Sequence, residues 1–292
     1  MYKVIIDSSS GFCAGVIRAI HSAEDYLGSH SKLHALGELV HNSIEMDRLR
    51  ALGLETVDLE GAKKADCVLI RAHGEPPSTY QALEGKDIID CTCPVVLKNE
   101  KDICKAYEKG SGIVIFGKKG HPEVIALAGQ TLESAVIIEN PTEPLSWNGV
   151  VPEEKIIRLF DSPVIEVFSQ TTKDPEDYAK LGNILRFIFE DRKVIIHNTI
   201  CKTVSSRFEH LTAFATSNDC ILFVAGKDSS NGKVLFNHCK AANPNTIFIS
   251  SPEDVTEGII PKGVLTVGIC GATSTPKWLL EDVAEKVSSI QK

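Results

Sequence analysis

The sequence lacks several common signals. Its nine cysteines include no C-x-x-C pair, so the usual zinc-ribbon and ferredoxin spacings do not apply. No G-x-G-x-x-G follows a strand-like run, which removes the dinucleotide fingerprint. The nearest approach to a Walker loop, Gly226–Lys233, has five residues between its glycines instead of four, and Val234 follows the lysine. It reads as an anion-binding loop of another kind. Basic charge is also in deficit: 31 Lys and Arg against 39 Asp and Glu give a net charge of −8. Nonspecific nucleic-acid binding needs the opposite balance. The N-terminal MYKVIIDSSSGF has no basic segment leading into an apolar stretch, and no apolar run reaches the ~18 residues of a membrane span. A cytoplasmic protein with no membrane partner is the expectation.

What is present suits a globular chain. At 292 residues, 43% of them hydrophobic, there is enough apolar material for a large core and for two or three domains. Cysteines in a reducing compartment more often signal metal or catalysis than disulfides.

The chain repeats a short pattern three times. Lys3–Asp7 (KVIID), Lys86–Asp90 (KDIID) and Lys193–His197 (KVIIH) are β-branched runs of strand character, each followed within a few residues by a cysteine: Cys13, Cys93 and Cys201. A helical pattern follows each cysteine. Val16, Ile17, Ile20, Ala23 and Leu27 carry it in the first repeat and Val204, Phe208, Leu211 and Ala215 in the third, with a weaker version from Val96 to Tyr107. Each cysteine therefore falls between a strand end and a helix start, where partial positive charge favours the metal-binding thiolate. Cys91 competes with Cys93 in the middle repeat; the alignment favours Cys93, which directly precedes Pro94. Cys67, Cys220 and Cys270 lie in apolar strand runs and Cys104 and Cys239 in helical stretches, so these five are expected in the core.

Further strands end in polar loops. Ala65–Gly74, Gly112–Gly117 and Asp219–Gly226 read as buried strands, and others are expected to end at Leu39–Asn42, Val167–Thr172 and Val267–Ser274. Strands alternating with helices give an α/β fold with mainly parallel sheets, in which ligands bind beyond the carboxyl ends of strands. The loops there carry His41-Asn42, His73-Gly74, His121-Pro122-Glu123, Thr171-Thr172, Ser229-Ser230-Asn231 and Thr273-Ser274. A lone strand-end serine is usually a helix cap. Six such loops together suit a phosphate or diphosphate ligand. Glu123, beside His121, is the candidate general acid, because a desolvated carboxyl stays protonated near neutral pH.

Three thiolates on a cubane 4Fe–4S cluster leave one iron open to a substrate. An electron donor protein then replaces the missing nicotinamide site. The same residues also admit a 4Fe–4S hydro-lyase, a redox-sensing iron–sulfur binding module or a zinc phosphoesterase.

Nine motifs in order sharpen this reading: Gly11–Val16 (GFCAGV) with Arg18-Ala19, Val40–Asn42, Ala72–Gly74, Thr92–Pro94, Gly120–Val124 (GHPEV), Gln170–Thr172, Thr199–Cys201, Ser229–Asn231 and Ala272–Pro276. Over about residues 3 to 285 the chain resembles the 4-hydroxy-3-methylbut-2-enyl diphosphate reductase family. The resemblance implies a trefoil of three related α/β lobes around a central cluster cavity, with lobes expected at 1–95, 96–194 and 195–292. It implies a 4Fe–4S cluster held by Cys13, Cys93 and Cys201. The substrate diphosphate is expected at His41, His73, His121, Ser229, Ser230, Asn231 and Ser274, with Thr171 near the substrate hydroxyl. Glu123, His121 and Thr171 form the expected catalytic group. The implied reaction is the two-electron reductive dehydroxylation that yields isopentenyl and dimethylallyl diphosphate, with ferredoxin or flavodoxin and its reductase as donor. Two positions depart from the family's usual pattern: Cys91 stands where Ala is usual, and Asp228 precedes the serine pair.

Overall fold

The computed structural model describes residues 2–146 and 153–290. Its strands are β1 (Lys3–Ile6), β2 (Leu33–Leu36), β3 (Leu54–Val57), β4 (Cys67–Ile70), β5 (Asp87–Asp90), β6 (Gly112–Phe116), β7 (Val136–Ile138), β8 (Val164–Ser169), β9 (Lys193–Ile196), β10 (Cys220–Val224), β11 (Thr246–Ile249) and β12 (Thr266–Gly271). The helices are α1 (Ala14–Leu27), α2 (Ser43–Ala51), α3 (Leu59–Ala62), α4 (Pro77–Ala82), α5 (Pro94–Glu108), α6 (Pro122–Gly129), α7 (Glu153–Asp161), α8 (Pro175–Ile188), α9 (Lys202–Thr216), α10 (Ser230–Ala242) and α11 (Lys277–Ser289).

The strands form three four-stranded sheets, ordered β1-β12-β10-β11, β3-β2-β4-β5 and β7-β6-β8-β9. The registered strand pairs are parallel. The fold is thus three parallel-sheet α/β lobes. Central strands such as β4 (CVLI), β6 (GIVIF) and β10 (CILFV) are buried along their whole length, as expected for parallel strands covered on both faces. The three strands that lead to the repeated cysteines, β1, β5 and β9, each lie at a sheet edge. Their partial burial reflects that place, and charged or polar ends keep these edges from pairing further.

The chain divides into two compact units. The first comprises residues 1–33, 38–56 and 202–292, and the second residues 34–37 and 57–201. In the first unit, Leu222, Val224, Val267 and Ile269 of the sheet pack against Leu279, Leu280, Val283 and Val287 of α11. In the second, Val114, Phe116, Ile165 and Val167 pack against Tyr178, Leu181 and Leu185 of α8.

One strand ends earlier than expected. The run toward Leu39–Asn42 is strand only from Leu33 to Leu36. Gly37 turns the backbone at φ +77, a left-handed conformation that ends the extended run. Leu39 and Val40 are still buried, in the loop that leads to α2. Cys104 also departs from expectation: it lies half-buried on α5, its Sγ directed at Glu108 Oε1 at 3.7 Å, and does not join the core. Cys67, Cys220, Cys239 and Cys270 are buried as expected.

Candidate functional site

The three repeated cysteines occupy equivalent local positions. Cys13 is the N-cap of α1, Cys93 the N-cap of α5, and Cys201 immediately precedes α9. Each is half-buried, and none is joined in a disulfide. Each amide donates to the loop after the neighbouring strand. Cys13 N reaches Thr273 O at 3.2 Å in the first unit; in the second, Cys93 N reaches Ala72 O at 3.0 Å and Cys201 N reaches Thr171 O at 3.0 Å. The backbone hold is thus the same in all three, and the thiols stand at positive helix ends. Three accessible thiols of this kind are a donor set suited to an iron–sulfur cluster. Cys91 is different: it is 1% exposed, and its amide continues the strand ladder to Ile70 O at 2.9 Å.

In the second unit the GHPEV loop builds a buried acid. His121 caps α6, its Nδ1 accepting from Glu123 N at 3.2 Å. That bond leaves the proton of the neutral ring on Nε2. Pro122 at the first helical position costs no hydrogen bond there. Glu123 is 2% exposed. Thr171 grips its carboxyl twice, through its amide to Oε1 at 2.6 Å and its hydroxyl to Oε2 at 2.9 Å. Burial pushes the Glu123 carboxyl up to about 7, while the two bonds from Thr171 pull the other way. The His73 ring stands edge-on to His121, with centroids 5.3 Å apart and planes at 81°.

A second buried carboxyl in this unit escaped the sequence reading. Glu100 on α5 lies against Gly74, and its Oε1 has no hydrogen-bond partner among the described residues. Burial, with Asp90, Glu123 and Glu75 nearby, pushes it up to about 8. A Cβ at Gly74 would run into this carboxyl, and the glycine itself sits at φ +75. The signal was available: the buried face of α5 runs Val96, Asn99, Glu100, Ile103, Ala106, so two polar residues interrupt an apolar stripe.

In the first unit the Gly226–Lys233 loop leads into α10. Ser229 caps this helix, its Oγ accepting from Gly232 N at 3.0 Å and lying 3.1 Å from Ser274 Oγ. Asn231 Oδ1 accepts from Thr273 N at 3.2 Å and from Thr273 Oγ1 at 2.9 Å. Its Nδ2 is buried and has no hydrogen-bond partner among the described residues, so a donor is left to meet a ligand oxygen. Ser230 is half-buried at the first position of α10. His41 precedes Asn42, the N-cap of α2. Gly226 packs so closely on the His41 carbonyl that a Cβ would collide with it. Ser229, Ser274 and Asn231 with Thr273 thus meet in this unit. Glu123, Thr171, His121 and His73 form a second cluster in the other.

A model of the LytB protein family matches residues 4–288. The 4-hydroxy-3-methylbut-2-enyl diphosphate reductase of Parabacteroides distasonis is 46% identical over 99% of both chains. That of Porphyromonas gingivalis is 44% identical over 99% of this chain and all of its own. A solved structure of (E)-4-hydroxy-3-methyl-but-2-enyl diphosphate reductase, the terminal enzyme of the non-mevalonate pathway, superposes with a TM-score of 0.71 at 32% identity, covering 99% of this chain and 100% of that one. The reductase structure from Plasmodium falciparum gives 0.84 at 25% identity, over 97% of this chain and 87% of that one. The chain belongs to the LytB family of 4-hydroxy-3-methylbut-2-enyl diphosphate reductases.

Proposed function

We propose that the chain reduces 4-hydroxy-3-methylbut-2-enyl diphosphate to isopentenyl and dimethylallyl diphosphate, using a 4Fe–4S cluster held by Cys13, Cys93 and Cys201. The observation that carries the reading is the threefold cysteine position: edge strand, half-buried thiol, helix start, and one amide bond to the adjoining strand loop. When bound, the cluster supplies electrons singly and offers one iron without a protein ligand as a Lewis acid. The overall balance breaks the allylic C–O bond and forms a C–H bond. It consumes two electrons and two protons and releases one water.

The chain's own residues divide the remaining work. His41, His73, His121, Ser229, Ser230, Asn231 and Ser274 hold the diphosphate through neutral donors. Asn231 Nδ2, buried and otherwise unpaired, is suited to such an oxygen. Thr171 orients the Glu123 carboxyl and lies beside the substrate hydroxyl. Glu123 holds a proton near neutral pH and delivers it to the reacting allyl group or the departing oxygen. His121 fixes the start of α6 and donates from Nε2.

The electrons come from ferredoxin or flavodoxin with its reductase, in the cytoplasm. Among the described residues, no helix is long and apolar enough to cross a membrane. We retain the lobe division 1–95, 96–194 and 195–292, with Cys13 and Cys93 in the first range and Cys201 in the third. The relatives carry the name of a reductase, which leaves the hydro-lyase and sensor alternatives without support.

Iron and acid-labile sulfide content after anaerobic isolation tests the ligand set. The parent chain is expected to carry a full cluster, and Cys13→Ala, Cys93→Ala and Cys201→Ala each to lose most of it, while Cys91→Ala keeps it. Cluster retention in any of the first three, or its loss in Cys91→Ala, contradicts the assignment.

A further inference from the structure

The three repeats are alike in backbone but not in charge. The sixth residue after each cysteine lies on the buried side of the helix that follows it: Ala19 after Cys13, Asn99 after Cys93 and Arg207 after Cys201. Two of these reach a cysteine loop at the same point. In the second unit, Asn99 Nδ2 donates to Thr199 O at 3.2 Å, two residues before Cys201. In the first unit, Arg207 Nη1 donates to Gly11 O at 3.0 Å, two residues before Cys13. Arg207 adds a second bond, Nη2 to Ser9 O at 2.7 Å. Ala19 has no side-chain donor. The Cys201 loop is therefore tied by a neutral amide, and the Cys13 loop by a buried cation.

The surroundings of Arg207 show a built arrangement. The residue is 8% exposed and interrupts the apolar stripe of α9 formed by Val204, Phe208, Leu211 and Ala215. Asp7, 3% exposed at the end of β1, is its nearby counter-charge. Asp7 is itself occupied. It accepts from Ser9 N at 3.2 Å, Ser9 Oγ at 2.8 Å and Ser10 Oγ at 2.6 Å, and its Oδ1 lies 2.7 Å from His210 Nε2. Burial pushes the Asp7 carboxyl up, but these bonds together outweigh it and hold the group below its usual range. Arg207 and His210, three residues apart on one helix face, thus hold the two ends of the Asp7–Cys13 loop. Guanidinium stays charged under any burial found in proteins, and its rigid fork fits two carbonyls at once.

We propose that Arg207 is a positioning residue that fixes the Gly11–Cys13 loop and places a permanent positive charge at one corner of the cluster site, raising the reduction potential of the cluster held there. The charge of the repeats is asymmetric: one cysteine loop of three is tied by a cation. A fixed cation favours the reduced, more negative cluster, since net charge and local hydrogen bonding set such potentials.

The proposal rests on the cluster reading above, and the test separates the two. The midpoint potential is measured by redox titration followed by EPR, on samples of equal iron content. Arg207→Gln removes the charge; the expected result is roughly tenfold less reduced cluster at a fixed potential, or about 59 mV for a one-electron couple. Arg207→Lys keeps the charge and loses the fork, and is expected to stay within about twofold of the parent. An unchanged potential in Arg207→Gln, or equal shifts in both variants, overturns the proposal and leaves the cluster reading intact. Should Arg207→Gln fail to fold, Asp7→Asn carries the test: with its counter-charge removed, the Arg207 cation is less compensated and the potential rises, and no shift there overturns the proposal. A parent chain that binds no cluster overturns both.

Discussion

At Glu123 burial outweighs two opposing hydrogen bonds. Burial drives the carboxyl toward its neutral form, while the amide and hydroxyl of Thr171 stabilise the anion. The result, about 7, is where a general acid is most useful, because it holds a proton yet releases it readily. Glu123→Gln keeps the shape and the bond from the Thr171 amide but has no proton to give. Turnover is expected to fall by roughly 10²–10⁴-fold with cluster content unchanged. Activity near that of the parent would remove Glu123 from proton delivery. Glu100 makes a different prediction, one of stability. Its folded value of about 8 lies above the ordinary 4.5, so the folded chain binds this proton more tightly than the unfolded chain. The cost of the buried charge is absent below about pH 4.5, grows between there and 8, and is complete above. Glu100→Gln should therefore match the parent at pH 4 and exceed it at pH 9 by on the order of a few kcal/mol in denaturant unfolding. An equal difference at both pH values would show that the carboxyl is not held neutral by the fold. Glu123 was readable from GHPEV because a proline and a histidine mark its place. Glu100, beside Asn99, and Arg207 stand out as polar positions on apolar helical faces, but only the fold shows what those faces cover.

Elements explain why the site residues stand where they do. Loops after parallel strands deliver polar groups, and the helix starts that follow supply N–H groups and positive charge. The caps fall into two kinds. His121 and Ser229 cap α6 and α10 and belong to the candidate site. Asp174 caps α8 through bonds from Glu176 N at 2.7 Å and Asp177 N at 3.1 Å, apart from the candidate site residues. Asp174→Ala should cost about 1 kcal/mol in denaturant unfolding with no change in iron content or turnover. Loss of the cluster in that variant would mean that α8 supports the site directly. The three KxII runs were legible as strands because β-branched runs bounded by polar residues have few alternatives. The strand expected to end at Leu39–Asn42 was read too long. Leu39 and Val40 are apolar for packing in a loop, and burial alone does not distinguish that from a strand. Gly37 was the available stop signal.

Over the whole molecule, one four-strand pattern recurs. β1, β5 and β9 are edge strands beside β12, β4 and β8, and each leads to one cysteine. The recurrence of strand, cysteine and helix was visible in the sequence. The pairing of β1 with β12, from opposite ends of the chain, was not, because nothing local in KVII specifies a partner so distant. The central claim is that the chain moves electrons to an allylic diphosphate. The most direct test is anaerobic turnover of 4-hydroxy-3-methylbut-2-enyl diphosphate by the iron-loaded chain, with a one-electron donor titrated against product. The account predicts isopentenyl and dimethylallyl diphosphate with two electrons consumed per molecule formed, and no reaction without donor. Product formed without electrons, or none from the loaded chain with donor in excess, would contradict it.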